Sequence, residues 1–375
     1  MKQLFNNIAY RPPGEKLGLF SRLLLLPLTL LSLLYGIAVK VRLFLYSAGI
    51  LKTHHLKCKV ISVGNITVGG TGKTPVTEFI ASGLQKKGYK VAILSRGYKG
   101  DRKTDISLVS DGDRLFLGPD EAGDEPYMLA KRLKGVPVIV GSDRHKIGTY
   151  AYDKFKVDAL ILDDGFQHVR LNRDLNILLI DGKRGFGNSC LTPRGPLREP
   201  LSGIKRADLI LINKAESVNS KLEKGIEKFI TSQSICRSDY KAKSLIYFQD
   251  KKEASIELLD GAKVIMLSAI ATPSSFSNLL SSLGGKILDE VSFPDHHSYR
   301  QRDLDMVMEK AKNAGADFIV TTEKDAVKLE QLKVVKEMPF YYLEIALKMG
   351  GEKDEFINCI IKQSGLEEKE IETQN

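Results

Sequence analysis

The feature that most constrains the fold is a glycine-rich turn between an apolar stretch and an amphipathic one. Residues 59–84 read KVISVGNITVGGTGKTPVTEFIASGL, and the turn ends in Gly-Lys-Thr. Glycines let the backbone wrap around phosphate oxygens, and the N-terminus of the following helix favours negative charge. A strand, a glycine-rich turn and a helix in this order predict a P-loop that binds a nucleoside triphosphate.

The residues of this turn have distinct expected roles. Lys73 is expected to bridge the β and γ phosphates, and the Thr74 hydroxyl to bind Mg²⁺. The usual motif begins with a glycine where this chain has Thr67, so neighbouring glycines are expected to supply the flexibility. An ordinary glycine turn before a helix is the alternative. The predicted nucleotide-binding residues are Thr67, Val68, Gly69, Gly70, Thr71, Gly72, Lys73 and Thr74.

Short apolar runs separated by helical stretches continue after residue 55. Their unbroken Val/Ile/Leu character predicts buried parallel strands. We therefore predict a P-loop NTPase-type open α/β sheet with helices on both faces, whose ligands bind at the carboxyl ends of the strands. The runs are KCKVISV, KVAILS, VPVIVG, ALILDD, LNILLID and DLILINK.

A polar stretch follows Lys214, after which strand-like runs resume at SLIYF, KVIMLSAI, KILDEVSF, DFIVTTEKD and FYYLEIAL. This change predicts a second, smaller α/β domain. We expect a membrane-associating helical segment at 1–55, a P-loop nucleotide-binding domain at 56–230 and the smaller domain at 231–375. The charged end EEKEIETQN is expected to fray.

The N-terminal segment combines an apolar run with basic charge. Residues 23–39 are uncharged, and residues 1–60 hold nine Lys/Arg against one acid, Glu15, in a chain of net charge +10. Seventeen helical residues reach roughly 25 Å, short of a hydrocarbon core of about 30 Å. Either a marginal transmembrane helix or an interfacial helix fits this pattern. A signal peptide and a buried core helix are the alternatives. The basic residues are Lys2, Arg11, Lys16, Arg22, Lys40, Arg42, Lys52, Lys57 and Lys59.

Other patterns exclude several classes of protein. The four cysteines lie far apart without a CxxC pair, so we expect free thiols and neither a zinc ribbon nor a disulfide scaffold. After residue 60 the chain has no basic stripe interleaved with aromatic residues, and it has no Trp. Nucleic-acid binding is therefore not expected.

Two adjacent carboxylates are candidates for metal binding. Asp163 and Asp164 end the run ALILDD, where a Walker-B aspartate reaches Mg²⁺ directly or through water. One of the two could instead cap the following turn. Gln167 and His168 follow closely enough to line the same site and to position water or phosphate.

These motifs, together with several others along the chain, resemble the tetraacyldisaccharide 4′-kinase family almost from end to end. The resemblance rests on VGNITVGGTGKTP (63–75), SRGYKG (95–100), GDEP (123–126), DDGFQH (163–168) with LNRD (171–174), FGN (186–188), LTPRGPLREP (191–200), FPDHHSY (293–299) and TTEKDAVKL (321–329).

The resemblance implies an enzyme at the cytoplasmic face of the bacterial inner membrane. It would use ATP and Mg²⁺ to phosphorylate the 4′-hydroxyl of a tetraacylated glucosamine disaccharide 1-phosphate, giving lipid IVA, and the N-terminal segment would bind inner-membrane lipids. Protein partners are not predicted. The segment ATPSSF (271–276) lacks the charged residues expected of the family there.

The resemblance also implies roles for individual residues. Asp124 and His296 would act together on the acceptor hydroxyl as a carboxylate base and its orienting imidazole. Glu125 is a candidate second metal ligand, and Arg96 and Arg198 are candidate phosphate clamps. From the sequence alone, Asp124 could instead be a helix N-cap, and His296 or His297 a polar surface residue.

Two other functions compete with this prediction. Asn213 and Lys214 follow a strand, with Glu216 two positions further on, which is similar to the guanine-reading NKxD motif and would indicate a membrane GTPase. Switch elements are not found in the sequence. A membrane-anchored scaffold that binds ATP structurally is the non-enzymatic alternative.

Overall fold

The computed structural model describes residues 9–10, 19–97, 100, 104–218, 220–330, 332–333 and 338–369. The helices are α1 (Leu19–Ser47), α2 (Lys73–Lys86), α3 (Pro119–Ala122), α4 (Asp124–Arg132), α5 (Arg144–Phe155), α6 (Ser220–Glu227), α7 (Pro273–Ser282), α8 (Gln301–Ala314), α9 (Glu323–Leu329) and α10 (Lys353–Ser364). The strands are β1 (Lys59–Gly64), β2 (Val91–Ser95), β3 (Ser107–Ser110), β4 (Val138–Val140), β5 (Ala159–Asp163), β6 (Leu175–Asp181), β7 (Leu209–Asn213), β8 (Ser234–Tyr247), β9 (Glu253–Ala254), β10 (Lys263–Ser268), β11 (Lys286–Ser292), β12 (Phe318–Thr322) and β13 (Phe340–Met349).

Within the described residues these strands form one mixed sheet in the order β11-β10-β12-β13-β8-β7-β6-β1-β5-β2-β4-β3, with β9 paired to β8. Neighbours are parallel except at the β3–β4, β8–β9 and β8–β13 pairs. Strands such as β5 and β6 are buried along their whole length, as their apolar runs predict. The predicted P-loop NTPase-type α/β fold is confirmed.

One long strand, β8, joins the two halves of the sheet. Its first part runs parallel to β7, with Ser234 opposite Leu209. From Ser238, which lies opposite Met349, it runs antiparallel to β13. The sequence predicts this first part as a polar connecting stretch, because its polar residues are not followed by a run of apolar ones until the end of the strand. β3 was not predicted either.

The apolar core also crosses between the halves. Phe356, Ile357 and Ile360 of α10 belong to the same buried cluster as the strands around β1. A Cβ atom on Gly83 of α2 would overlap Cδ1 of Ile357, so the two helices approach closely. The domain boundary after residue 230 stays a prediction.

The helix α1 lies against the rest of the protein with one narrow face. Leu25, Ser32 and Gly36 form this face, whereas most other side chains that the structure describes between residues 25 and 44 are exposed or half-buried. A buried core helix, one of the alternatives for this segment, is therefore wrong. Residues 25–47 are apolar and long enough to cross a membrane by length and composition alone. Lys2, Arg11 and Lys16, and the last six residues of the predicted tail, lie outside the described residues.

Candidate active site

The P-loop connects β1 to α2 and is fixed by contacts from two directions. Gly72 has a φ of 81°, in the left-handed region that glycine adopts without strain. A Cβ atom at this position would overlap the Tyr240 hydroxyl of β8. That hydroxyl donates to the Gly72 carbonyl oxygen at 3.1 Å. Inside the loop, Asn65 Nδ2 donates to Thr71 Oγ1 at 2.9 Å.

The stretch that is similar to a guanine-reading motif supports this loop from behind. Asn213 Nδ2 donates to the Thr71 carbonyl oxygen at 2.8 Å and to the Tyr240 hydroxyl at 2.9 Å. Lys214 Nζ forms an ion pair with Asp181 Oδ2 at 2.6 Å. Both side chains are thus engaged with the protein itself, and the pattern is explained without a guanine base.

The two aspartates at the end of β5 reach different partners. Asp163 is buried and accepts a hydrogen bond from Thr77 Oγ1 of α2 at 3.3 Å. Asp164, with a φ of 58°, has its Oδ1 atom 3.5 Å from Lys73 Nζ and 2.9 Å from Arg198 Nη1. Lys73 and the two aspartates predicted to bind Mg²⁺ therefore meet at one edge of the sheet.

These carboxylates differ in their electrostatics. Burial and the neighbouring carboxylates of Glu125 and Asp164 together raise the pKa of Asp163 to about 7 against the opposing charge of Lys73. Burial would also raise the pKa of Asp164, but Lys73 and Arg198 outweigh it and hold the value below its usual range. The same holds for Glu125, where Lys324 and Lys73 outweigh burial. A cation near Asp163 would favour its ionised form.

The oxygen atoms that could bind a metal here suit Mg²⁺ better than a transition metal. Carboxylate and hydroxyl oxygens suit a hard cation, and Thr74, which follows Lys73 at the start of α2, is buried. Among the described residues no three His, Cys, Asp or Glu side chains form a metal-binding group. Mg²⁺ in phosphoryl-transfer sites is usually held by one or two carboxylates together with the nucleotide phosphates, so such a group is not required.

The structure brings Asp124 and His296 together across 172 residues of sequence. Asp124 is the first residue of α4, and its Oδ2 atom lies 3.1 Å from His296 Nδ1. Gly123 occupies the N-cap position, so the helix-cap alternative for Asp124 is wrong. The side chains of Asp124 and His296 are only 16% and 18% exposed, which also rules out a polar surface role for this histidine.

Burial alone would raise the pKa of Asp124, but the hydrogen bond from His296 and the charges of Lys328 and Lys324 lower it below its usual value. Asp124 is therefore a carboxylate at neutral pH, as a proton acceptor must be. Its neighbour Glu125 is close enough to Lys73 for the two charges to interact. The His–Asp pair consequently borders the P-loop.

A sequence profile described as the tetraacyldisaccharide-1-P 4′-kinase, LpxK, matches residues 23–364. The chain belongs to this family. It is 39% identical over 336 residues to the tetraacyldisaccharide 4′-kinase of Syntrophus aciditrophicus, covering 87% of this chain and 90% of that protein. It is 39% identical over 328 residues to the enzyme of the same name from Geobacter sulfurreducens, covering 88% of this chain and 90% of that protein.

The family assignment extends to the three-dimensional structure. The crystal structure of the "apo" form of LpxK from Aquifex aeolicus in complex with ATP superposes with a TM-score of 0.73 at 34% identity. The match covers 92% of this chain and 99% of that chain. The chain is therefore a kinase with the LpxK fold, and the resemblance found in the sequence is confirmed.

The remaining predicted residues of this family member lie in different surroundings. Arg198 pairs with Asp164, and Arg96 is exposed directly after β2. Gln167 Nε2 donates to the Asn65 carbonyl oxygen at 2.8 Å and to Glu199 Oε1 at 2.7 Å, so it links the P-loop to the segment that carries Arg198. Tyr98 and Lys99 of SRGYKG lie outside the described residues. The cysteines are free thiols, as predicted.

His168 lies in different surroundings from Gln167, close to two arginines. Burial, together with the guanidinium groups of Arg144 and Arg173, lowers its pKa to about 4. His168 is therefore neutral at neutral pH. A role for it in positioning water or phosphate stays a prediction.

Two lysines of α9 belong to the site of this kinase but were not identified from the sequence. Lys324 Nζ lies 3.1 Å from Glu125 Oε1, and Lys328 Nζ lies 3.9 Å from Asp124 Oδ2. Their spacing of four residues directly after a buried strand was the available signal, because it places both on one helix face at a carboxyl edge of the sheet.

An ion network holds α9 against α4. The Arg132 guanidinium, at the end of α4, donates to both carboxylate oxygens of Glu323 through Nε and Nη2. Its Nη1 atom donates to Glu78 Oε2 at 2.6 Å. The guanidinium also lies 3.1 Å from Glu344 Oε1. Burial raises the pKa of Glu323 to about 7 despite the opposing charge of Arg132. Because Asp124 begins α4, this network fixes the helices that carry the acidic and basic residues of the site.

The helix α1 also contacts the loop that carries Arg198. Ser32 Oγ donates to the Leu191 carbonyl oxygen at 2.8 Å, and the Tyr35 hydroxyl donates to the Arg198 carbonyl oxygen at 2.7 Å. A Cβ atom on Gly36 would lie 2.6 Å from Leu191 Cδ1. The apolar N-terminal helix is therefore attached to the active-site edge of the sheet.

Proposed function

We propose that the chain transfers the γ-phosphate of ATP to the 4′-hydroxyl of tetraacyldisaccharide 1-phosphate, which produces lipid IVA. The strongest support is the contact of 3.1 Å between Asp124 and His296 beside the P-loop. A sugar hydroxyl is a weak nucleophile, and a carboxylate held by an imidazole can accept its proton during phosphoryl transfer. Membership of the LpxK family points to the same acceptor.

ATP is proposed to bind along residues Thr67–Thr74, as its phosphates would meet the backbone N–H groups at the start of α2. Lys73 would contact the β and γ phosphates. Mg²⁺ would be held by Thr74 with Asp163, Asp164 or Glu125, and when bound it would neutralise charge on the transferred phosphate. Arg198 and Arg96 remain candidates for phosphate contacts.

The acceptor hydroxyl would approach Asp124 from the side opposite His296. In the transfer step the oxygen–hydrogen bond of the acceptor breaks, its proton moves to the Asp124 carboxylate, and the oxygen forms the new bond to the γ-phosphorus while ADP leaves. His296 orients the carboxylate through Nδ1. The Lys73 charge compensates the negative charge that accumulates on the phosphates.

The helix α1 is proposed to bind the cytoplasmic face of the bacterial inner membrane. Its contacts with the body extend from Leu25 to Arg42, about 25 Å along the axis. Contacts spread over this length support a helix that lies in the interface with its outer face in the lipid. ATP is a cytoplasmic substrate, and a four-chain lipid acceptor stays in the bilayer.

Replacing three outer-face residues of α1 by Gln, in the variant L30Q/L34Q/I37Q, is expected to release the protein from membranes. Each of these side chains is more than half exposed, and each stabilises insertion by roughly 1.5 kcal/mol or more. Partitioning to vesicles of phosphatidylethanolamine and phosphatidylglycerol should fall about a thousandfold in a sedimentation assay. ATP binding should be unchanged.

The matched control is L115Q/L258Q/L288Q, which removes three exposed leucines from other parts of the surface. It should sediment with vesicles like the unmodified protein. Equal partitioning of both triple variants would contradict the proposed orientation of α1.

The function itself is tested by incubating the detergent-solubilised protein with γ-labelled ATP, Mg²⁺ and tetraacyldisaccharide 1-phosphate. Label should move to the lipid, and GTP in place of ATP should be a much poorer donor. An acceptor with a blocked 4′-hydroxyl is the control for the site of transfer. Unlabelled lipid under conditions where a related LpxK is active would contradict the proposal.

A further inference from the structure

Lys324 lies between two acidic residues and the imidazole of the proposed base pair. Its Nζ atom is 3.1 Å from Glu125 Oε1, 3.3 Å from His296 Nε2 and 3.9 Å from Asp295 Oδ1. The side chain is only 20% exposed. Lys324 therefore contacts the nitrogen of His296 that faces away from Asp124.

A lysine ammonium group donates three hydrogen bonds and accepts none. His296 Nε2 must therefore act as the acceptor in this contact, which requires an unprotonated nitrogen. The single proton of the neutral imidazole then lies on Nδ1. Nδ1 is the atom that lies 3.1 Å from Asp124 Oδ2, so the ring donates to the carboxylate.

The alternative protonation states fit the site poorly. A proton on Nε2 would point at the ammonium group, and the Nδ1 lone pair would then face the carboxylate. Asp295 Oδ1 is 3.9 Å from Nε2, too far to accept such a proton. An imidazolium would place two positive charges in contact.

We propose that Lys324 is a positioning residue that holds His296 in the Nδ1-protonated tautomer, so that the imidazole donates to Asp124 and leaves the opposite carboxylate oxygen available to the acceptor hydroxyl. This inference rests on the proposed function of Asp124 as the base. In the transfer step the proton of the acceptor moves to Asp124, and His296 neither gains nor loses a proton.

The surroundings of Lys324 keep its charge in place. The carboxylates of Glu125 and Asp295, at 3.1 Å and 3.9 Å from its Nζ atom, balance the ammonium charge. The preceding residue, Glu323, is fixed by Arg132, and Thr322 caps the helix by accepting a hydrogen bond from the Asp325 N–H group. Both the charge and the position of the ammonium group are therefore determined by the fold.

The first measurement is the tautomer of His296 in the full chain in detergent, labelled with ¹⁵N at its histidine rings. Long-range proton–nitrogen correlations distinguish a protonated from an unprotonated ring nitrogen. The chain has six histidines, and the variant His296→Gln assigns the signal. At a pH of about 8 we expect Nδ1 to be protonated and Nε2 to be unprotonated. A proton on Nε2 would overturn the proposal, and this measurement needs no variant of Lys324.

The second measurement uses Lys324→Met, which keeps the length of the side chain and removes the ammonium group. We expect the His296 signal to shift toward the Nε2-protonated tautomer, and kcat to fall about tenfold to hundredfold while the KM for ATP changes less than about twofold. The matched control is Lys131→Met, which removes another lysine between α4 and the end of α9, paired with Glu330 at 2.6 Å. It should change neither the signal nor kcat.

An unchanged His296 tautomer in Lys324→Met would overturn the proposal even if activity fell. If Lys324→Met shifted the tautomer while Asp124→Asn kept full activity, the proposed base would be wrong. The assignment of Lys324 would then stand. The two failures are therefore distinguishable.

Discussion

Asp124→Ala is expected to lower kcat by about a thousandfold, which corresponds to roughly 4 kcal/mol of transition-state stabilisation. The carboxylate is ionised and held by His296 at 3.1 Å, and Ala can neither accept the acceptor proton nor bind the imidazole. Steady-state transfer of label from ATP to the lipid measures the loss. ATP affinity, measured by equilibrium binding, should change little because Asp124 lies outside the P-loop.

The partner variant His296→Ala tests whether the two residues act as one unit. Its kcat should fall less than that of Asp124→Ala. The kcat of the double variant should be little lower than that of Asp124→Ala alone, since effects within a catalytic unit do not add. Losses that multiply would indicate separate roles for the two residues.

The histidine that follows His296 in sequence offers a matched control for this pair. His297 Nε2 lies 3.0 Å from Asp303 Oδ2, so a second His–Asp contact, 0.1 Å shorter than the first, involves the next residue in sequence. His297 stacks on Phe293. His297→Ala should keep kcat within about threefold. A loss of kcat as large as that of His296→Ala would mean that the assay reports damage to the fold around these histidines.

Lys73→Ala is the second substitution with a large expected effect. It should lower kcat/KM by at least about a hundredfold, or roughly 2.7 kcal/mol, because no other P-loop side chain supplies a positive charge to the phosphates. Initial rates at varied ATP concentration measure it. The lysine side chain is only 11% exposed and lies 3.5 Å from Asp164 Oδ1, so thermal unfolding should be measured in parallel.

Lys86→Ala, at the exposed end of the same helix, is the control for Lys73→Ala and should leave both rate and stability unchanged. If Lys73→Ala unfolded at a much lower temperature yet turned over normally, the P-loop would have a structural role, as in the scaffold alternative. Near-normal turnover with unchanged stability would equally contradict the assignment of Lys73.

The elements that the sequence predicted are those with a local signal. Runs of Val, Ile and Leu predicted the buried parallel strands because both faces of such strands need apolar side chains. The start of β8 has no such run, since its polar residues alternate with partly buried ones, and its pairing with β13 joins residues about a hundred positions apart. Contacts of this range leave no pattern in a single sequence.

In the candidate site, too, the residues with a local sequence signal were predicted and the others were not. The P-loop and the aspartates of β5 were predicted from short motifs, whereas Asp124 and His296 were connected only through the resemblance to a family. Lys324 and Arg132 were missed because a charged residue on a helix is usually solvated, and their burial depends on packing between α4 and α9. Burial and pairing, which give these residues their chemistry, are properties of the folded chain.

The continuity of the sheet through β8 limits how the protein can move during a reaction cycle. A rigid rotation of one half against the other would break ladder hydrogen bonds on both sides of Ser238. The Tyr240 hydroxyl on the same strand is bonded to Gly72, so displacement of the P-loop is resisted by β8. We therefore expect admission of substrate and release of product to proceed by rearrangement of the loops and helices above the sheet, while the sheet itself moves little.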